Sequence, residues 1–190
     1  RIGPHFLKAS VGYGGSCFQK DILNLVYLCK YYELDEVAEY WHQVVKINDY
    51  QKDRFAQKII DHFGGDLTGK KIAILGWAFK ANTNDSRESA AIYVSEKLYN
   101  AGASIEIYDP MVPQNKIKKD INSFWNIGTL NHSLDFSKIS INQKLNFLNS
   151  CDALAILTEW EKFKLIQLEK IKVFDGRNIG INSFYQIGKQ

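Results

Sequence analysis

Apolar residues recur at helical spacing through the first third of the chain, then gather into short unbroken runs. Leu25, Leu28, Cys29 and Tyr32 follow one helical face, and a break falls near Glu33-Leu34. Asp35 is expected to cap a second helix. That helix carries Val37, Trp41, Val44, Phe55 and Ile59 on one stripe and Tyr40, Ile47 and Tyr50 on another. Two stripes predict burial on more than one side, as in a helix packed between domains or against a second subunit. From about Leu67 the period changes. Lys71 to Gly76, Ile105 to Tyr108, Asp152 to Thr158 and Lys172 to Asp175 read as buried parallel strands. Helices are predicted over Ser89 to Asn100 and around Trp160 to Leu168, with a less regular Asn- and Lys-rich stretch after Asp109-Pro110. This alternation predicts a doubly wound α/β sheet. In such sheets ligands sit beyond the carboxyl ends of the strands, where Gly76, Thr158, Asp175 and Gly176 fall.

Composition narrows the function classes. The chain has 190 residues, 45% apolar and 24% charged, which is ordinary for a globular protein. A net charge of +3 and the absence of a long basic run argue against nucleic acid. Lys116, Lys118 and Lys119 read as a solvated face. No apolar stretch is long enough to span a bilayer. Cys17, Cys29 and Cys151 have no metal-ligand spacing, and scattered thiols make a reducing, cytosolic compartment the default expectation. The sequence opens at Arg1 in mid-motif, which reads as a piece of a longer chain.

The most informative stretch is Gly14-Gly15-Ser16-Cys17-Phe18-Gln19-Lys20-Asp21. Ser16 followed by Gln19 is a capping-box pattern, so a helix is predicted to begin at Cys17. A thiol there faces free backbone N–H groups and the positive end of the helix dipole, a setting that suits a nucleophile. Lys20 adds positive charge, and Asp21 lies one turn on, where a carboxylate can position water or take a proton. Two readings stand at this point: a nucleophilic Cys17, or a Gly-Gly-Ser turn followed by a small space-filling residue. Cys29 and Cys151 read as inert core positions.

The run from Phe6 to Asp21 resembles the catalytic segment of the UDP-glucose 6-dehydrogenase family, in its eukaryotic form with Gln19. Leu75-Gly76-Trp77-Ala78-Phe79-Lys80, continuing to Thr83, Asp85, Arg87, Glu88 and Ser89, is a second match. Thr158-Glu159-Trp160 and Phe174-Asp175-Gly176-Arg177 are the third and fourth, all in family order.

The resemblance implies two Rossmann-like domains joined by a long central helix. Residues 1–64 would supply a substrate loop, the catalytic cysteine and a helical dimerisation segment. Residues 65–190 would form a Rossmann-like UDP-binding domain with a mainly parallel sheet, and the NAD-binding domain would lie outside this chain. No Gly-x-Gly-x-x-Gly fingerprint occurs among the 190 residues. By resemblance Cys17 is the nucleophile and Asp21 its assisting carboxylate. Arg1, Phe6, Lys8, Ala9, Ser10, Val11, Gly12, Tyr13, Gly14, Phe79, Lys80 and Arg177 are substrate-binding. Cys17, Phe18, Gln19, Lys20 and Arg87 lie near the NAD cofactor. The implied partners are UDP-glucose, NAD and a further copy of the chain. Ala81 and Asn82 replace the family's usual lysine and aspartate. Taken singly, Lys80 and Arg177 also suit a surface cation or a structural ion pair, and Arg87 a local salt bridge to Asp85 or Glu88. His42 and His62 are expected at a surface or interface. Trp77 and Trp160 either pack or line a pocket. Oxidation of another sugar nucleotide, UDP-N-acetylmannosamine or GDP-mannose, and a non-catalytic binding module are the competing functions.

Overall fold

A computed structural model describes residues 3–4, 7–125, 134–166 and 171–188. Residues 7–17 form a loop that leads into two helices, α1 (Phe18–Tyr31) and α2 (Asp35–His62). The break between them is a Schellman closure. Leu34 N donates to Cys29 O and Glu33 N to Lys30 O, with Glu33 at φ 58°. Gly64 and Gly102 close α2 and the next helix, α3 (Ala90–Asn100), in the same way. Because Leu34 is committed to the closure, it becomes the N-cap of α2. Asp35, expected as the cap, is instead the first helical residue, where its charge opposes the positive helix end.

Val26, Cys29 and Ala38 form a small apolar seam between α1 and α2, with Leu25 and Trp41 against it. Further along α2, Phe55, Ala56, Ile59 and Ile60 join the main core. The first predicted stripe therefore packs along most of its length, although Val37 remains exposed. The second stripe stays uncovered in the single chain: Tyr40, Ile47 and Tyr50 are 69%, 68% and 63% exposed.

The strands are β1 (Lys71–Leu75), β2 (Ser104–Tyr108), β3 (Ile139–Ile141), β4 (Ala153–Ile156), β5 (Lys172–Asp175) and β6 (Tyr185–Gln186). They form one all-parallel sheet in the order β3-β2-β1-β4-β5-β6, with Ile72 opposite Ile105 on one side and Ala153 on the other. This is the Rossmann-like doubly wound order, with its switch point between β1 and β4. Ile72, Ile74, Leu75, Ile105, Leu154 and Ile156 are completely buried, each contributing roughly 1.5–3 kcal/mol. Ser89 caps α3 by accepting from Ala91 N.

Several sequence expectations need correction. The stretch after Asp109 holds a regular helix, α4 (Gln114–Phe124), as well as β3. Its inner face is narrow, Ile117 and Ile121 one turn apart with Asp120 beside them, so Asn and Lys dominate the pattern. Lys118 and Lys119 lie on its exposed side, while Lys116 Nζ donates to Asn84 O at 2.9 Å. The helix expected around Trp160 to Leu168 is a single 3-10 turn, Glu161–Leu165, because Phe163 N bonds back to Trp160 O at once. Residues 167 and 168 lie outside the described residues. No helix among the described residues is long and apolar enough to cross a membrane.

Candidate functional site

Residues 8–15 cross from the strand ends to α2 and are fastened at both. Val11 N donates to Gly176 O at 2.8 Å, immediately after β5. Asn178, at φ 53°, donates through Nδ2 to Ala9 O at 2.7 Å and accepts from Lys8 Nζ on its backbone carbonyl. Gln51 of α2 donates to Ser10 O at 3.2 Å. Further on, Asn48 of α2 bonds both backbone groups of Tyr13, and Gly15 N donates to Arg87 O at 2.8 Å. A Cβ on Gly14 would sit 2.4 Å from Glu88 O, so only glycine lets the loop pass. Burial, then the charges of Asp49 and Glu88, raises the Tyr13 phenol above its ordinary pKa.

This fastening delivers Cys17 to the amino end of α1, exposed to solvent. The expected capping box does not form. Cys17 already has helical dihedrals and is itself the N-cap, with Phe18 the first helical residue. Gln19 is then one position short of where a box requires it. Ser16 Oγ lies 3.6 Å from Cys17 Sγ. Gln19 Oε1 is buried without a hydrogen-bond partner. Asp21, exposed one turn on, donates its N–H to Cys17 O at 2.9 Å. Phe18 meets Tyr13 edge-on at 4.6 Å between ring centroids.

Beside the thiol lies a cleft of about 390 Å³ lined by Gly15, Ser16, Gln19, Lys20, Leu23, Arg87, Glu88 and Phe124. Arg87 is held by a two-pronged bond to Asp85, Nε to Oδ1 at 2.9 Å and a terminal nitrogen to Oδ2 at 2.7 Å. The pairing lowers the Asp85 pKa and raises that of Arg87, to which the charge of Cys17 also contributes. The local salt bridge and a place beside Cys17 thus coexist.

The strand ends are organised by buried carboxylates. Asp109, after β2, accepts on Oδ2 from Trp77 N (2.7 Å), Ala78 N (3.0 Å) and the Trp160 indole (3.2 Å). Its Oδ1 accepts from Met111 N and Val112 N, both at 2.8 Å. Asp120 takes the Trp77 indole N–H at 3.0 Å and the Ser86 hydroxyl at 2.5 Å. Both tryptophans pack inside rather than line a pocket. Asp175 shapes the turn after β5 through Arg177 N and Ile179 N, each at 2.9 Å. Glu159 accepts from Ala81 N at 3.2 Å and pairs with Arg177 across 2.5 Å. Phe79 packs its ring on Gly15, and exposed Lys80 lies with Nζ 5.5 Å from that ring's centre.

Lys8 to Gly14, Phe79 and Arg177 therefore converge around the ends of β1, β4 and β5, with Lys80 at the rim. Arg1 and Phe6 lie outside the described residues. Asn48, Gln51, Glu159 and Asn178, which the sequence reading gave no role, hold this arrangement together. Only Glu159, inside the Thr158-Glu159-Trp160 motif, carried a signal. Cys29 is buried, and Cys151 is half-buried with its pKa raised to about 11, chiefly by burial and then by Glu106. His62 meets Phe63 and Phe174 edge-on and Phe184 at a tilt. No group of three or more His, Cys, Asp or Glu among the described residues is placed to hold a metal ion.

Residues 73–181 match the UDP binding domain of the UDP-glucose/GDP-mannose dehydrogenase family, and residues 1–50 match its central domain. The chain belongs to that family. It is 48% identical over 190 residues to the UDP-glucose 6-dehydrogenase of Gallus gallus, a match covering 94% of this chain and 37% of that protein. The UDP-glucose 6-dehydrogenase 1 of Arabidopsis thaliana is 45% identical, with 94% and 40% covered. Among solved structures, a UDP-glucose dehydrogenase from the hyperthermophilic archaeon Pyrobaculum islandicum superposes with a TM-score of 0.76 at 26% identity, over 98% of this chain and 40% of that one. This family member thus spans about two-fifths of the length of the curated relatives it matches.

Proposed function

We propose that this chain is the carboxy-terminal, sugar-nucleotide-holding part of an NAD-dependent UDP-glucose 6-dehydrogenase, with Cys17 as its nucleophile. One observation carries the reading. An exposed thiol stands at the amino end of α1, on a loop fastened to the same strand ends that hold Arg177 and Phe79. A structural cysteine needs no such placement. Exposed Lys80 and the Glu159-held guanidinium of Arg177 suit the negative charge of a nucleoside diphosphate.

Taking a primary alcohol to a carboxylate removes four electrons, so two equivalents of NAD are required. The cleft beside Cys17 fits such a group: it carries Lys20 and Arg87, and Gln19 Oε1 is buried there without a partner. When bound, NAD supplies the hydride acceptor. Cys17, as its thiolate, adds to the intermediate aldehyde to give a thiohemiacetal and then holds the oxidised carbon as a thioester. Asp21 orients the water that releases the acid. The rest of the dinucleotide site is assigned to a separate amino-terminal domain, so residues 1–190 alone are expected to bind UDP-glucose without producing NADH.

UDP-glucose is preferred over other sugar nucleotides because the relatives near 48% identity are UDP-glucose 6-dehydrogenases. The GDP-mannose dehydrogenase of Pseudomonas aeruginosa is 24% identical, a likeness of fold alone. We also assign the uncovered stripe of α2 to self-association. The deciding experiment is turnover of the complete enzyme and its Cys17→Ser variant on UDP-glucose, UDP-N-acetylmannosamine and GDP-mannose. Wild-type turnover by the serine variant would refute the nucleophile assignment.

A further inference from the structure

The loop ahead of Cys17 is fastened in two independent halves. Residues 8–11 are tied to Gly176, Asn178 and Gln51. Residues 13–15 are tied by different groups: the Asn48 carboxamide on the Tyr13 backbone, the carbonyl of Val44, which accepts from the Tyr13 hydroxyl at 3.4 Å, and the carbonyl of Arg87. Asn48 sits on α2 and is only 4% exposed. Its Oδ1 accepts from Tyr13 N at 2.8 Å and its Nδ2 donates to Tyr13 O at 3.1 Å. One carboxamide thus satisfies both backbone groups of a single loop residue, as a neighbouring strand would. A Cβ on Gly12 would lie 2.7 Å from Asn48 Oδ1 and 3.5 Å from Lys52 Cγ, so the loop backbone presses against the amide. Lys52, itself buried, pairs with Asp49 at 3.0 Å and lies 4.1 Å from the centre of the Tyr93 ring. Tyr93 donates to Glu88 at 2.6 Å. The floor under Asn48 is therefore braced from α2, α3 and the segment that holds Gly15.

We propose that Asn48 is the positioning residue that fixes Cys17: its clasp on Tyr13 sets where the loop enters α1, and hence where the thiol stands. The proposal rests on the reading of Cys17 as nucleophile. Three residues, Gly14, Gly15 and Ser16, separate the clasped Tyr13 from the thiol, and Gly15 N bonded to Arg87 O is the fastening between them. The half of the loop tied to the turn after β5 does not depend on Asn48. Losing the clasp therefore misplaces the thiol while leaving the sugar-nucleotide contacts of residues 8–11 standing.

The test compares wild type with Asn48→Ala and Asn48→Asp, each checked for folding by thermal unfolding. Asn48→Asp is nearly isosteric and keeps the acceptor for Tyr13 N, so it carries the test if the alanine variant does not fold. In the complete enzyme kcat is expected to fall by about 10²-fold, the cost of a displacement near 1 Å at a reacting atom. KM for UDP-glucose is expected to change far less than kcat, within about threefold, because residues 8–11 stay fastened and only the contacts expected of Gly12, Tyr13 and Gly14 are loosened. In this chain alone, iodoacetamide labelling of Cys17, followed by mass spectrometry, is expected to change by about two- to fivefold, the size of a helix-end contribution. A folded variant with unchanged kcat and unchanged Cys17 labelling overturns the proposal, as does a raised KM at unchanged kcat. Failure of the nucleophile reading looks different: Cys17→Ser would then turn over normally, while the labelling of Cys17 would still report on Asn48.

Discussion

Gly76 and Thr158 meet across the switch point of the sheet, so closely that a Cβ on Gly76 would lie 2.3 Å from both Cβ and Oγ1 of Thr158. Gly76 is also at φ +94°, and the Thr158 hydroxyl donates to Ala78 O at 2.6 Å. Gly76→Ala therefore combines overpacking with a strained backbone. A loss of about 3 kcal/mol is expected in urea unfolding. A loss below about 1 kcal/mol would show that Thr158 moves aside freely.

Asp109 receives five N–H groups, and an amide in its place can turn an acceptor to only one set of them. The carboxamide of Asp109→Asn would face either the Trp77, Ala78 and Trp160 donors or the Met111 and Val112 donors with its own NH₂. The substitution should cost about 3 kcal/mol or more, since buried donors lose their acceptor. The same unfolding assay, with tryptophan fluorescence as its probe, checks this. Unchanged stability and emission would mean that the carboxylate does not organise the loop.

Glu33 occupies the left-handed position of a closure that uses glycine at the ends of α2 and α3. Glu33→Gly should stabilise the chain by about 1 kcal/mol, the excess of the left-handed penalty over the added chain entropy. Differential scanning calorimetry would register a higher Tm. A lower one would contradict the account of this turn.

Cys151 gives a pH dependence whose sign is fixed. Its thiol is raised from 9.0 to about 11, so the folded state favours the protonated form. This contribution is fully present below the unfolded pKa and declines as pH rises through the interval up to about 11. Cys151→Ala should flatten the alkaline loss of stability over that window. Labelling of Cys151 should also rise towards its upper end.

Ile47 and Tyr50 stand 68% and 63% exposed on the outer side of α2. Ile47→Asp should shift the chain towards monomer in sedimentation velocity, with the thermal midpoint of the monomer little changed. A wild-type chain that is already monomeric at high concentration would remove the assignment of this stripe.

Most of the sheet could be read from the sequence because its central strands are unbroken apolar runs, Ile72 to Leu75 and Ala153 to Ile156, that only a two-sided burial explains. α4 and β3 escaped because each buries few residues, so surface composition outweighs periodicity. The helix starts differ for another reason. Ser16 and Asp35 are good caps locally, but the pinning of Gly14 and Gly15 to residues 87–88, and the closure at Leu34, move each start by one residue. Cys17 was legible from its neighbours. Asn48 was not, since one asparagine between Ile47 and Asp49 carries no pattern, and its partner lies 35 residues away.

The parallel order of the sheet also bears on biosynthesis. Ile72 finds one neighbour at Ile105 but the other only at Ala153, whereas α1 and α2 close on each other from adjacent sequence. As the nascent chain leaves the ribosome, the helical elbow forms early, while one flank of β1 waits through the translation of α3, β2, α4 and β3. During that interval an Ile-Ala-Ile-Leu edge is bare. Misassembly and chaperone capture should accordingly concentrate on chains arrested before β4 emerges.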